Sequence, residues 1–132
     1  MKTLIATIAL ALGVSTMTFA EAPKVEKIEP KAAAQEAEKG TASIVDVREA
    51  DEVAAGMAKP AQWFPLSKVQ SDPEAFKAFL GKLPKGKVVF YCAVGGRAGK
   101  AAEKAASLGY TAANMGGFKD WTQAGLPTKP KP

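Results

Sequence analysis

The fold is set by one stretch of sequence, Lys87-Val-Val-Phe-Tyr-Cys92-Ala-Val-Gly-Gly-Arg97. Its first six residues form a nearly continuous apolar run, which is typical of a strand buried on both faces of a parallel sheet. The two glycines after Cys92 permit a tight turn. An alanine-rich segment, residues 98–108, comes next, and Gly109 after it predicts the end of a helix. A strand, a turn and a helix in this order indicate one unit of a parallel α/β sheet.

The same alternation runs along the rest of the chain. Short β-branched or apolar runs predict strands over 43–47, 62–66 and 110–115. Segments bounded by proline, polar caps or glycine predict helices over 31–39, 49–55, 73–80 and 118–123. We therefore expect a single α/β domain, built as a small parallel sheet flanked by helices. Its core is expected over about residues 25–127, with residues 128–132 as a frayed tail.

Composition removes several classes of chemistry. The chain has 132 residues, a formal net charge of +5, one cysteine and no histidine. A single cysteine excludes an intrachain disulfide. The lack of histidine excludes Ser-His and Cys-His dyads and argues against zinc, copper and non-haem iron, so we expect no metal site. The lysines are spread along the chain without interleaved aromatic residues, which is typical of a solvated surface and gives no indication of nucleic-acid binding.

The first twenty residues have the pattern of a secretory signal peptide. Lys2 is followed by an uncharged, mostly apolar run over residues 4–14, and the small residues Thr18 and Ala20 mark a cleavage site. The run is too short to cross a membrane, which needs about 20 residues. We therefore expect residues 1–20 to be removed, which leaves residues 21–132 as a periplasmic or otherwise secreted monomer that does not associate with a membrane.

Cys92 is the candidate catalytic residue because it ends a buried strand. Ligands of open α/β sheets bind beyond the carboxyl ends of the strands. Backbone N–H groups around Gly95 and Gly96 can form an anion-binding nest, the next helix adds the positive end of its dipole, and Arg97 adds a cation. All three favour a thiolate, which would make Cys92 nucleophilic without a histidine base. The alternative is a small apolar residue that only closes the strand.

Two phosphate-binding motifs do not fit the same loop. A Walker A loop would need glycine at the position of Val94 and serine or threonine at the position of Ala101. A dinucleotide-binding fingerprint would need glycine at the position of Arg97. The sequence therefore argues against a nucleotide site of either kind.

Three segments, taken in order, carry a resemblance to a known family. The first is Ile44–Glu49 with Glu52-Val53 after it, and the second is Cys92-Ala-Val-Gly-Gly-Arg97, a cysteine separated by four residues from an arginine. The third comprises Gly109-Tyr110, Met115-Gly116-Gly117-Phe118, Trp121 and Gly125-Leu126-Pro127. Together they resemble the signatures of the rhodanese family of sulfurtransferases, and the resemblance covers nearly all of residues 25–127. It implies the rhodanese-like α/β fold.

The resemblance also implies an activity in two half-reactions. Cys92, as a thiolate, would attack the outer sulfur of a small-molecule donor, thiosulfate or a persulfide, and keep that sulfur as a persulfide. A thiol or cyanide would then accept the sulfur, and neither step needs a cofactor. The residues implied to bind the donor and the persulfide are Ala93, Val94, Gly95, Gly96 and Arg97.

Three residues within this resemblance bear on how a donor would bind. Asp46 and Arg48 lie in the first signature, and either they bind the donor near the loop or, as we favour, they form a structural ion pair. Ala93 stands where many thiosulfate-using members have a second cation. We therefore expect weaker capture of a dianionic donor and a loop suited to a neutral or bulkier persulfide.

Two other classes of protein remain open. Tyrosine phosphatases of the related fold have five residues between cysteine and arginine, whereas this loop has four. A non-catalytic rhodanese-like module, which carries sulfur or binds a partner, usually lacks the cysteine, whereas Cys92 is present. The sequence therefore favours sulfur transfer over both.

Overall fold

The computed structural model describes residue 13 and residues 24–132. The signal peptide predicted over residues 1–20 therefore lies outside the described residues, apart from Gly13 alone. Within the described residues, no helix has the length and apolar character needed to cross a membrane.

The secondary structure alternates strands and helices along the chain. The strands are β1 (Val25–Lys27), β2 (Ala42–Asp46), β3 (Met57–Ala58), β4 (Gln62–Trp63), β5 (Lys87–Cys92), β6 (Ala112–Gly117) and β7 (Thr128–Lys129). The helices are α1 (Pro30–Glu38), α2 (Ala50–Val53), α3 (Leu66–Ser71), α4 (Pro73–Lys82), α5 (Gly96–Ser107) and α6 (Phe118–Gln123). Five strands form a parallel sheet in the order β1-β6-β5-β2-β4, and β3 pairs with β7 in a separate antiparallel ribbon.

The central strand β5 explains why both faces of the sheet are covered. It lies between β2 and β6, and every residue after Lys87 is buried. Because successive side chains of a strand point to opposite faces, the strand contributes to two cores. The core under α3, α4 and α5 includes Phe90 and Cys92, and the core under α1 and α6 includes Tyr91 and Trp121. The predicted α/β fold with a parallel, helix-flanked sheet is confirmed.

Helix α5 lies close to the sheet because its inward face is built from small side chains. Four alanines at spacings of three and four residues are fully buried there: Ala98, Ala101, Ala102 and Ala105. This spacing places one stripe of a helix against the core. The close approach holds the first turn of α5 directly beyond the end of β5, where the glycine-containing loop joins them.

Several element boundaries differ from the prediction for local reasons. The sequence over 62–66 predicted one strand, but only Gln62–Trp63 pair with β2, because Pro65 precedes α3 and the chain turns helical at Leu66. The strand β1 was not predicted, since only Val25 of its three residues is apolar. It forms by pairing in parallel with the edge of β6.

The prediction of a frayed tail is wrong for Thr128–Lys129. These residues form β7, which pairs with β3. The preceding carbonyl, that of Pro127, accepts hydrogen bonds from the Lys59 backbone N–H at 2.9 Å and from Trp121 Nε1 at 2.8 Å. Because Trp121 is fully buried, its N–H needs an acceptor, and the residue directly before the tail supplies it.

We expect Gly117→Ala to destabilise the fold by about 3 kcal/mol. A methyl group at Gly117 would lie 2.1 Å from the carbonyl oxygen of Ala93, so the loop after β5 would have to move. Urea denaturation followed by circular dichroism measures the loss. The matched control is Gly81→Ala in α4, where no atom lies within 4 Å of the new methyl group and the free energy of unfolding should rise by about 0.5–1 kcal/mol. Equal unfolding midpoints for the two variants would contradict the prediction.

Candidate active site

Cys92 is the last residue of β5 and lies at the carboxyl edge of the parallel sheet. Its side chain is fully buried on the face covered by α5. The chain then forms a short loop in which Ala93 and Val94 are exposed, and it enters α5 at Gly96. The thiol is thus placed beneath a loop that joins a central strand to the amino terminus of a twelve-residue helix.

The loop turns back over the cysteine sulfur at Gly95. This residue has φ +105°, a conformation that side chains rarely adopt. The turn directs its backbone N–H at Cys92, and the N–H donates a hydrogen bond to Sγ with an N···S distance of 2.9 Å. The loop therefore presents one N–H dipole to the sulfur, whereas the predicted nest would need successive N–H groups that point the same way.

A residue that the sequence analysis missed holds this turn in place. The Asn114 side chain, on β6, donates from Nδ2 to the Gly95 carbonyl oxygen at 2.9 Å. Its Oδ1 accepts a hydrogen bond from the Gly116 backbone N–H, also at 2.9 Å. The signal in the sequence was an asparagine inside a predicted strand, where asparagine is uncommon. Asn114 ties the loop to the neighbouring strand and so fixes the N–H that faces Cys92.

The guanidinium of Arg97 is occupied by a carboxylate. Arg97 Nη1 donates to Glu52 Oε1 at 2.6 Å, and Nη2 donates to Oε2 at 2.8 Å. The hydrogen bonds from Arg97 lower the pKa of Glu52 to about 2, and the same bonds raise the pKa of Arg97 above its usual value. The sequence predicted a cation that favours the Cys92 thiolate and assigned no role to Glu52. The structure places the charge of Arg97 in a two-point ion pair with Glu52, and attraction to Cys92 makes a smaller contribution to the raised pKa of Arg97.

Asp46 and Arg48 are both buried. The Arg48 Nη2 atom donates to Asp46 Oδ2 at 2.8 Å and to the Gly56 carbonyl at 2.7 Å. The Tyr91 hydroxyl donates to the same carboxylate oxygen at 2.5 Å and accepts the backbone N–H of Ala58 at 2.9 Å. The pair forms the structural ion pair that the sequence favoured. Its contacts join β2, β3 and β5 beneath the carboxyl edge of the sheet.

The charges in this pair are fixed by their surroundings. Burial works against the charged form of Arg48, but the hydrogen bonds and attraction from Asp46 outweigh it and raise the pKa. Burial, followed by repulsion from the Asp46 carboxylate, raises the pKa of Tyr91, so the hydroxyl stays protonated as a donor. The Arg48 guanidinium also stacks on Phe118, with 4.3 Å between its central carbon and the ring centroid. The group is therefore a rigid support for the neighbouring strand end.

A cleft of about 860 Å³ lies beside the loop. Val94 and Gly95 form one wall, and residues of the β1–α1 junction, including Ile28 and Lys31, form the opposite side. Val94 is 89% exposed, so the loop presents an apolar side chain to solvent at the edge of the cleft. Cys92 itself does not line the cleft. Among the described residues, no cluster of cysteine, aspartate and glutamate side chains is arranged to hold a metal ion.

We expect the Glu52–Arg97 pair to stabilise the fold at neutral pH by about 0.5–1 kcal/mol, the range for a partly exposed two-point pair. Because its pKa is lowered in the folded state, Glu52 binds a proton less readily there than in the unfolded chain. Its contribution is therefore complete above the ordinary glutamate pKa and is lost as the pH falls toward about 2. Urea denaturation of the wild type and Glu52→Gln at pH about 7 and about 3 measures this. A stability difference of the same size at both pH values would contradict the prediction.

Comparison with known proteins relates this site to a family. The family model of the rhodanese-like domain matches residues 29–124, which run from the start of α1 to the end of α6. A human thiosulfate:glutathione sulfurtransferase is 36% identical over 94 residues, which are 64% of this chain and 82% of that protein.

Solved structures show the same fold. A rhodanese-related protein from Thermoplasma volcanium superposes with a TM-score of 0.64 at 21% identity, covering 80% of this chain and 99% of that one. A protein from Rhodopseudomonas palustris, named as a possible tyrosine phosphatase, superposes with a TM-score of 0.66 at 28% identity, covering 80% of this chain and 85% of that one. The resemblance carried by the three sequence segments is confirmed. The chain belongs to the family of rhodanese-like domains.

Proposed function

We propose that this protein is a sulfurtransferase that carries a sulfane sulfur on Cys92. The donor is thiosulfate or a persulfide, and the acceptor is a thiol or cyanide. The observation that carries the proposal is the Gly95 N–H, which points at Cys92 Sγ from a loop at the amino terminus of α5. A site of this kind stabilises negative charge on sulfur.

The first half-reaction forms the persulfide. The Cys92 thiolate attacks the outer sulfur of thiosulfate, a bond forms between Sγ and that sulfur, and the S–S bond of the donor breaks. Sulfite leaves with the electron pair, and the Cys92 persulfide keeps one negative charge. The loop amide that faces Sγ is positioned to stabilise the charge as it moves onto the new sulfur.

The second half-reaction returns the enzyme to its starting state. Cyanide or a thiolate attacks the outer sulfur of the persulfide, and the bond from that sulfur to Sγ breaks. Thiocyanate or a new persulfide leaves, and Cys92 is again a thiolate. Neither step transfers a proton to a protein base, which suits a chain without histidine.

The acceptor that we propose is a small thiol. The human relative is named for thiosulfate and glutathione, and this chain spans 82% of it. The cleft beside Val94 and Gly95 has the volume for a molecule of that size and borders the loop that follows Cys92, the residue that would carry the persulfide.

A second candidate is a rhodanese-like module that binds a partner or only carries sulfur. The observation that favours it is the complete burial of Cys92, which limits access of small molecules to Sγ. A phosphatase, the activity for which one structural relative is named, is disfavoured because four residues separate Cys92 from Arg97.

We expect thiosulfate or a persulfide donor to add one sulfur atom to the wild-type protein. The protein is incubated with each donor and its intact mass is measured beside a Cys92→Ser control, which has no thiolate to accept the sulfur. Cyanide should remove the added sulfur and yield thiocyanate. A chain that gains no sulfur from either donor would contradict sulfur transfer and favour the partner-binding module.

We also propose that the protein is exported to the periplasm or beyond the cell, on the sequence pattern of residues 1–20 alone, and that the mature chain is a monomer. The mature chain purified after expression in a bacterium should then begin at Glu21. Amino-terminal sequencing and size-exclusion chromatography measure the two properties. A chain that retains Met1, or one that elutes as a dimer, would contradict the corresponding part of the proposal.

A further inference from the structure

The sulfur site contains less positive charge than its sequence implies. Arg97 is the only cation among residues 92–97, and both of its terminal nitrogens donate to Glu52. With Cys92 as a thiolate, the loop and its carboxylate partner carry one net negative charge before a donor arrives. These three charges therefore repel a dianionic donor more strongly than a donor with at most one negative charge.

Glu52 is held in this position from two sides. Its Oε1 accepts the Glu49 backbone N–H at 3.3 Å, as part of a capping box at the start of α2. Its backbone carbonyl accepts a hydrogen bond from Arg48 Nη1 at 3.4 Å, which links α2 to the buried ion pair. Glu52 is thus fixed by its own helix as well as by Arg97, and its carboxylate does not depend on Arg97 for its position.

The ion pair is also permanent under ordinary conditions. The pKa of Glu52 is lowered to about 2 by the hydrogen bonds from Arg97, so the carboxylate stays ionised at any pH at which the protein would work. Both side chains are about one-third exposed, at 32% for Arg97 and 30% for Glu52, which places the pair at the surface beside the loop. A donor that approaches the loop therefore meets the pair and not a free guanidinium.

We propose that Glu52 is a specificity-determining residue that engages the charge of Arg97 and so directs the site toward persulfide donors, which carry at most one negative charge, and away from dianionic thiosulfate. The inference rests on the proposed sulfurtransferase function and names its preferred donor class. With such a donor, R–S–SH, the Cys92 thiolate bonds to the outer sulfur, the S–S bond of the donor breaks, and the thiolate R–S⁻ leaves. Thiosulfate is the weaker donor because it brings two negative charges to the carboxylate of Glu52.

The test compares two donors in three variants. In Glu52→Gln the side chain keeps its length and loses its charge, so Arg97 becomes available to an anion. The ratio of kcat/KM for thiosulfate to kcat/KM for an alkyl hydropersulfide should rise about three- to tenfold, through a lower KM for thiosulfate. In Glu52→Asp, which keeps the charge, the ratio should stay within about twofold of the wild type. Asp51 is an exposed neighbour of Glu52 in the same turn of α2. The Asp51→Asn variant changes the net charge by the same amount as Glu52→Gln, and its donor ratio should equal that of the wild type.

The outcomes separate this inference from the proposed function. A persulfide on wild-type Cys92 together with an unchanged donor ratio in Glu52→Gln overturns the role of Glu52 and leaves sulfur transfer standing. An equal fall in activity with both donors in Glu52→Gln and Glu52→Asp shows a merely structural role and also overturns it. If the wild type accepts sulfur from neither donor, the proposed function fails and the inference fails with it.

Discussion

The structure depends on one fully buried carboxylate, that of Asp46. An ionised group without contact to water is very costly unless it is paired and hydrogen-bonded. Asp46 receives the backbone N–H and the guanidinium of Arg48, as well as the hydroxyl of Tyr91. Arg48 lies two residues beyond the end of β2, and Tyr91 lies on β5. The hydrogen bonds that satisfy this one charge therefore fix the ends of β2 and β5 relative to each other.

The position of the thiol follows from this constraint. Tyr91 points to the core under α1 and α6 because its hydroxyl must reach Asp46, and Cys92 therefore points to the opposite face, under α5. The hydrogen bond from the Ala58 backbone N–H to the Tyr91 hydroxyl brings in β3, which in turn pairs with β7. A polar network on one side of the sheet thus sets the orientation of the Cys92 thiol on the other side.

The sequence predicted the elements whose own residues show a clear pattern of hydrophobicity or spacing. The apolar run of β5, the alanine stripe of α5 and the Cys-to-Arg spacing were sufficient for the fold and for the candidate cysteine. The strands β1 and β7 were not predictable in the same way, because they are short, largely exposed and exist only through pairing with distant segments. The roles of Glu52 and Asn114 were missed for a related reason. Glu52 contacts Arg97 across 45 residues of chain and Asn114 contacts Gly95 across 19, and the residue type alone, even an asparagine that is uncommon in a strand, does not identify the distant partner.

The charges at the loop distinguish two ways in which a donor could be bound: by a free cation or by a backbone N–H at the sulfur. A free cation would attract both dianionic thiosulfate and the dianionic sulfite that leaves. Most of its binding energy would therefore stabilise substrate and product alike, and this part would not increase the rate of transfer. The Gly95 N–H would act differently, because it faces Sγ itself, where charge would change during the proposed transfer. Asn114 holds that N–H in place, and Glu52 neutralises the cation. The two features would therefore act differently in the proposed transfer: the Gly95 N–H is a short-range dipole at Sγ, where charge would develop, whereas the pairing of Arg97 with Glu52 bears on how much charge the donor carries.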